Sequence, residues 1–478
     1  MINKFKQVAN SLFEIAPHER LKVLFLSLTY FCIIAGYSVA KELKDTVFTI
    51  IVGEYYIPKV RIAAMIILVP AILFYALLVD RLRRYQLLCF YSLFYSIVGL
   101  IFTFLLSHPI IGMANTDSSP YRLFGWLFYF FLEGYTPFVV SVFWAFANSI
   151  TDQEGAKKNY GLMVAGSKLG GMFGPLLAWL WLYLNSGGAV NTLARDIFNH
   201  QILLGFFSVM SLIIPLIIIL LMKKVPGRYL HGYEAVYQLE KKRSQEGRGK
   251  SNVLAGFAML LKYPYVFGIF CIIFFYEIIN TVLSYQRVLI AKTYATNVVD
   301  GAFSVSAMAS FLYQVVFLVH FIGFLISLFG TRLLLEMLGE KRALILVPIL
   351  HVVLLIYFFG FYTPFAFITT SVLIKAINYS LSYPLRENLY IPTMKEIKFK
   401  AKSWIDSFGG KFGKATGSVF NWLAQFVGPA VSFSLHFVFF SVISGAGLLA
   451  AYLLGKKFEW SIAHNEVIGV DSQEELQE

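Results

Sequence analysis

The sequence predicts an all-α polytopic membrane protein with twelve transmembrane helices in two six-helix halves. Three observations predict it. The 478 residues are 58% hydrophobic and only 14% charged, against about 45–50% and about 25% in soluble domains. Twelve apolar runs reach the roughly 20 residues that a membrane crossing needs. One long polar stretch, 223–262, separates six runs from six. A soluble enzyme could not cover this much apolar surface. A disordered scaffold or a disulfide-stapled secreted domain would have a different composition. The runs are continuous, as at 204–222, whereas β-barrel strands alternate apolar and polar over about ten residues.

The chain opens with a polar segment, 1–20, in which 3–16 reads as an amphipathic helix at the membrane surface and no signal peptide is legible. The runs follow near 21–42, 60–79, 85–107, 122–149, 160–185, 200–222, 265–291, 303–330, 342–362, 364–384, 404–430 and 432–455. The expected organisation is an N-terminal half at 21–222, a basic cytoplasmic linker at 223–262, a C-terminal half at 263–455 and an acidic tail at 456–478. Lys and Arg collect in cytoplasmic loops. The linker holds nine Lys/Arg against three Glu, and Arg81, Arg83, Arg84, Arg332, Lys341, Arg342, Lys395, Lys398 and Lys400 follow even-numbered spans. The loops 108–121, 186–199 and 293–302 contain one basic residue, Arg195. Both termini are therefore expected in the cytoplasm.

An internal repeat supports the division. Residues 166–174 read GSKLGGMFG and 409–417 read GGKFGKATG; both fit G-x-K-x-G-x-x-x-G, 243 positions apart. Phe-Cys-Ile-Ile occurs at 31–34 and again at 270–273, 239 positions on. Close helix packing explains the glycines but leaves Lys168 and Lys411 unexplained. The 6+6 layout with a basic central loop resembles the major facilitator architecture.

A charge within a span costs at least about 2.5–3.5 kcal/mol and is a functional hypothesis by default. Here the set is Lys41, Glu42, Lys44 and Asp45 at the end of span 1, Glu133, Lys168, Glu277, Arg287, Lys375, Asp406, Lys411 and Lys414, seven cations against five anions. Some have bland readings. Lys41 and Lys44 can snorkel from a helix end, and Asp45 can pair with Lys41 one turn away. Glu133 lies deep in its span and is followed by Pro137, which points to a broken helix lining a cavity. Lys411 and Lys414 share a helix face and repel each other. His320 and His351 read as satisfied core residues, and Cys32, Cys89 and Cys271 as small buried hydrophobes with no metal or disulfide pattern. A surplus of embedded cations suits a polyanion: phosphates take bidentate Arg and point-charge Lys contacts. The embedded carboxylates then hold the lysines in the empty site or carry a coupling proton. No cofactor, metal or nucleic acid is implied.

Three stretches resemble the nucleotide transporter family, the ATP/ADP translocases of intracellular bacteria and plastids. They are Lys41 through Phe48 with Ile57-Pro58-Lys59-Val60-Arg61; Leu132-Glu133 through Phe143-Trp144 and Ala147-Asn148 to Lys157-Lys158; and Tyr390-Ile391-Pro392 with Lys398, Lys400, Lys402 and Ile405-Asp406. The resemblance implies a major-facilitator-like antiporter or proton symporter for nucleotides, in the inner membrane of an intracellular bacterium, a monomer whose partners are its substrate, protons and the lipid bilayer. It also carries over four charges, Lys44, Glu133, Glu277 and Lys402, of which the last otherwise reads as a loop charge. The chain departs from the family at Tyr383-Pro384-Leu385-Arg386, where the exchangers have Asp-Pro-x-Lys, and after Glu277, where Asn280, Thr281 and Leu283 stand.

The resulting expectation is a secondary transporter of a polyphosphorylated anion, with a nucleotide as the foremost substrate and an inositol phosphate as the alternative. Lys41, Lys44, Arg61, Asn148, Lys168, Arg287, Lys375, Arg386, Lys402, Lys411 and Lys414 are the candidate substrate ligands. Glu133, Glu277, Asp45 and Asp406 are the candidate gating or proton-coupling groups. A membrane-embedded enzyme is the remote rival, and no HExxH, GxSxG or P-loop supports it.

Overall fold

The computed structural model describes residues 19–79, 82–151, 153–186, 193–226, 230, 253–297, 304–329, 331–394 and 397–469. The expected surface helix at 3–16, most of the 223–262 linker and the end of the acidic tail lie outside the described residues. Helices occupy all twelve expected segments: α1 Arg20–Ile51, α2 Ile57–Val79, α3 Arg84–Leu105, α4 Leu123–Ser149, α5 Gln153–Ser186, α6 Leu193–Lys224, α7 Pro264–Asn297, α8 Val305–Phe329, α9 Thr331–Phe361, α10 Pro364–Asn388, α11 Gly410–Ala424 and α12 Pro429–Ala463. Among the described residues, nine of these, all but α2, α5 and α11, are long and apolar enough to cross a membrane.

The chain forms two compact units. The first comprises 1–54, 66–250 and 291–317, and the second 55–65, 251–290 and 318–478. In the first, α1 is the centre, packed against α5 and α6. The Tyr313 hydroxyl of α8 donates to the Val39 carbonyl of α1 at 2.9 Å. The buried carboxylate of Asp196 on α6 accepts the Val305 and Ser306 amides at 3.0 and 3.3 Å. That satisfies two of the unpaired N–H groups at the start of α8 and places an anion at its positive end. In the second unit, Leu260, Val266, Ile269, Leu344, Leu385 and Leu454 belong to one core cluster.

The glycine pattern sets the packing of both units. A Cβ on Gly166 or Gly174 would lie 2.6 or 2.5 Å from the carbonyl oxygen of Ser27 or Ala35, and Gly170 meets Phe31 in the same way. α5 therefore lies with its backbone on α1. In the second unit, Gly413 and Gly417 meet the carbonyls of Phe274 and Ile278 at 2.8 and 2.9 Å, and Gly409 faces the Phe270 ring, so α11 lies on α7. The residue pairs of the first seam recur 243 positions on, with a side-chain ring in place of the backbone contact at Gly409. The shared Phe-Cys-Ile-Ile at 239 is out of this register by four residues, about one helical turn, so those tetrapeptides do not occupy equivalent positions.

α1 runs past the expected end at 42 to Ile51. Val47, Phe48 and Ile51 continue its buried apolar face, and the Thr46 and Thr49 hydroxyls donate to carbonyls four residues back at 2.8 and 2.7 Å. Gly53, at φ +111°, ends it. Lys44 and Asp45 are thus buried inside a helix and do not snorkel from its end. The break expected after Glu133 takes the form of a π turn, Thr136–Val140. A second π turn, Asn378–Ser382, interrupts α10 242 positions later. Such turns often mark functional sites.

Beyond α12 the chain returns along the Tyr-Ile-Pro segment. The Ile468 amide donates to Pro392 at 2.7 Å and the Met394 amide to Ile468 at 3.0 Å. Glu466 anchors the return by accepting from Lys457 at 2.7 Å and from Ser461 at 2.9 Å. Burial pushes the Glu466 carboxyl up, but the hydrogen bonds from Lys457 and Ser461 outweigh it and hold it below the usual carboxylate range. Its contribution is therefore full above the ordinary glutamate pKa of about 4.3 and is lost as pH falls through the lower folded value. Exchange protection of the Met394 and Ile468 amides, corrected for intrinsic rates, should drop on acidification through that window. In Glu466→Gln the protection should be lower at neutral pH and no longer change there.

Candidate substrate-binding site

Two of the candidate lysines, one in each unit, pair with a glutamate. In the first unit, α1 carries Lys44, only 8% exposed. Its ammonium pairs with the carboxylate of Glu133 and stands 4.5 Å from the centre of the Tyr129 ring. Tyr129 and Glu133 are four apart on α4 and so share a face. The aromatic face attracts the cation while the carboxylate neutralises it, which answers the cost of burying an ammonium. The π turn begins three residues after Glu133. Tyr37 of α1 stacks on Tyr135 at 6.3 Å, closing the same α1–α4 contact.

In the second unit, Lys402 opens the short helix Lys402–Trp404. Its ammonium pairs with Glu387 at the end of α10 and lies 5.3 Å from the centre of the Tyr390 ring. Arg386 stands over Tyr383 at 5.5 Å. Glu387 is absent from the sequence-predicted set. Its neighbour in sequence is Arg386, and only the fold brings it to a lysine fifteen positions on. The signal available was the proline-marked segment Tyr383–Asn388 between two predicted charge clusters.

Arg61 of α2 donates to the Thr281 carbonyl at 3.4 Å. Lys375 of α10 is buried and donates to Ser284 of α7 at 3.1 Å. Arg287 of α7 is 1% exposed. Glu277 accepts from Asn280 at 3.2 Å, and its Cβ would lie 2.7 Å from a methyl on Gly413, so it sits in the α7–α11 seam. Lys41, Lys168, Lys411 and Lys414 are half-buried, and Asn148 is exposed. Asp406 falls in a third π turn, Ile405–Gly409, and its side chain lies outside the described residues. In the 243-residue register, Arg287 occupies the position of Lys44. Lys375 lies 242 positions after Glu133, the spacing of the two π turns. The pair of opposite charges in the first repeat is thus matched by two cations in the second.

His351 departs from its expected role. It is buried, and its Nε2 has no hydrogen-bond partner among the described residues, nor have the Tyr276 and Ser444 hydroxyls. All three residues line a cavity of about 40 Å³ in the second unit, which is large enough for a water that would meet them. His320 instead stacks on Tyr379 at 5.8 Å.

The helical fold with its embedded charges is that of a polytopic membrane protein, and solved transporters share its fold. A D-xylose–proton symporter superposes with a TM-score of 0.61 over 92% of this chain and 97% of its own, at 15% identity. The nucleoside transporter NupG gives 0.54 over 93% and 99%, at 13% identity. These likenesses show the fold. The sequence itself matches the TLC ATP/ADP transporter family over residues 1–118, 121–366 and 364–458, and the chain belongs to that family. Its relatives include ADP,ATP carrier protein 3 of Rickettsia felis, 24% identical over 92% of this chain and 94% of the relative. ADP,ATP carrier protein 4 of Rickettsia conorii is 25% identical over 97% and 96%.

Proposed function

We propose that the protein is a secondary active transporter that moves a nucleotide, ATP or ADP, across the inner membrane of an intracellular bacterium by alternating access. The observation that carries this reading is the pairing of Lys44 with Glu133 over Tyr129 inside the first unit, in a chain of the TLC ATP/ADP transporter family. A lysine buried at that depth, held by a carboxylate and an aromatic face, is a preformed phosphate ligand with a removable counter-charge. Lys41, Lys44, Arg61, Arg287, Lys375, Arg386, Lys402, Lys411 and Lys414 supply the cationic character for a polyphosphate, with Lys168 and Asn148 as further ligands. Glu133 and Glu277 serve as gating or proton-coupling groups, joined by Asp45 and Asp406. Twelve crossings, halves at 21–222 and 263–455, cytoplasmic termini and a monomeric carrier complete the reading. The basic loops after even-numbered helices and the structural repeat at 243 support it.

Purified protein tests it first. ATP and ADP should raise its melting temperature at submillimolar concentration, and inorganic phosphate should not. Stabilisation by inositol phosphates with no response to any nucleotide would transfer the site to the alternative anion. No response to either class would contradict the polyphosphate reading.

A further inference from the structure

Glu387 stands on a lysine that the proposed function assigns to substrate phosphate, and no role has been given to it. We propose that Glu387 is a positioning residue that occupies Lys402 in place of a substrate phosphate and must be displaced when a nucleotide binds. The inference rests on the polyphosphate reading above.

Four observations carry it. A carboxylate and a phosphate offer an ammonium the same kind of charged oxygen acceptor, so Glu387 and substrate compete for one donor. The side chains of Lys402 and Glu387 are 28% and 39% exposed, and pairs of that exposure hold weakly. A phosphate with higher charge can therefore replace the carboxylate. Tyr390 lies beneath the ammonium at 5.3 Å, so Lys402 keeps a contact that does not depend on Glu387. Finally, Glu387 is next to last in the helical segment Tyr383–Asn388, where the backbone leaves the helix, and its side chain can swing aside without disturbing a longer element.

The Lys44 pair uses the same parts, a glutamate and a tyrosine, but is more enclosed, with side chains 10% and 22% exposed. The two pairs thus differ in how readily the carboxylate gives way. Glu387 sets a charge threshold at Lys402: an anion must outcompete a carboxylate to enter.

The experiment is uptake of labelled ATP and ADP by the full-length protein in liposomes, comparing wild type, Glu387→Gln, Lys402→Ala and the double variant. Glu387→Gln removes the competing charge and keeps the shape. It should lower KM for ATP by up to about fivefold, from the strength of a half-exposed pair. Lys402→Ala should raise KM, and adding Glu387→Gln to it should change KM no further, since the competed donor is gone. Nucleotide-free melting temperatures identify a folding defect, and Glu387→Ala carries the same expectation if the glutamine variant does not fold. An unchanged or higher KM in Glu387→Gln, with wild type active, would overturn the inference. So would an equal gain in the Lys402→Ala background. Failure of wild type to carry any nucleotide or organic phosphate would instead remove the functional reading on which it stands.

Discussion

Lys44→Ala is expected to cut nucleotide transport roughly ten- to hundredfold. The substitution removes a substrate cation and also the ammonium facing the Glu133 carboxylate inside the first unit. Breaking a buried pair on one side costs about 3–5 kcal/mol, and the partial exposure of Glu133 sets the lower end. That cost is read as a fall in melting temperature, while the lost charge-assisted phosphate contact, worth about 1.5–3 kcal/mol, lowers kcat/KM roughly ten- to hundredfold. The double variant Lys44→Ala, Glu133→Gln separates the two losses. With the carboxylate neutralised, stability should return, but transport should not, because the phosphate ligand is still missing. If the double variant transports at near wild-type rate, Lys44 is only a structural partner of Glu133.

The glycine seam gives the second large effect. Gly174→Val places its Cβ 2.5 Å from the Ala35 carbonyl and 2.8 Å from Ser38 Oγ. Backbone cannot yield as a flexible side chain does, so α5 must move away from α1. Overpacking costs about 1–3 kcal/mol and occasionally more, and the carbonyl contact argues for the upper end. The displaced α5 carries Lys168, so transport should fall with stability. Gly205→Ala is the control. Nothing lies within 4 Å of its added methyl, so its melting temperature should stay within a degree or two of wild type, since alanine is the better helix former by about 1 kcal/mol at most. Equal thermal effects of the two substitutions would contradict the seam.

The helices and the repeat were legible because they depend on local pattern. Apolar runs of span length mark α3, α6 and α12, and the G-x-K-x-G-x-x-x-G motif marks the two seams that the structure builds on α1 and α7. The shared Phe-Cys-Ile-Ile misled by one turn, because lipid-facing and core-facing apolar residues look alike in sequence, whereas glycines facing backbone leave no such freedom. Lys44 and Glu133 were each flagged as embedded, but their pairing across 89 positions is a product of packing. The expected end of α1 at 42 falls nine residues short of Ile51, since Lys41 through Asp45 look like a helix terminus until Glu133 and Tyr129 are there to receive them. Glu387 was missed for the same reason in reverse: its nearest charge in sequence is Arg386, and its partner in space is Lys402. The π turns of α4 and α10 have no sequence period of their own, and only Pro137 hinted at one of them.

Counter-exchange in liposomes tests the central claim most directly. Vesicles containing the purified protein and loaded with unlabelled ADP should accumulate labelled ATP from outside, and Lys44→Ala vesicles should do so at a small fraction of that rate. Uptake should be blocked by excess unlabelled ATP and hardly by inorganic phosphate. Vesicles in which wild-type protein is folded and stable yet carries neither ATP nor ADP, with or without a proton gradient, would contradict the account.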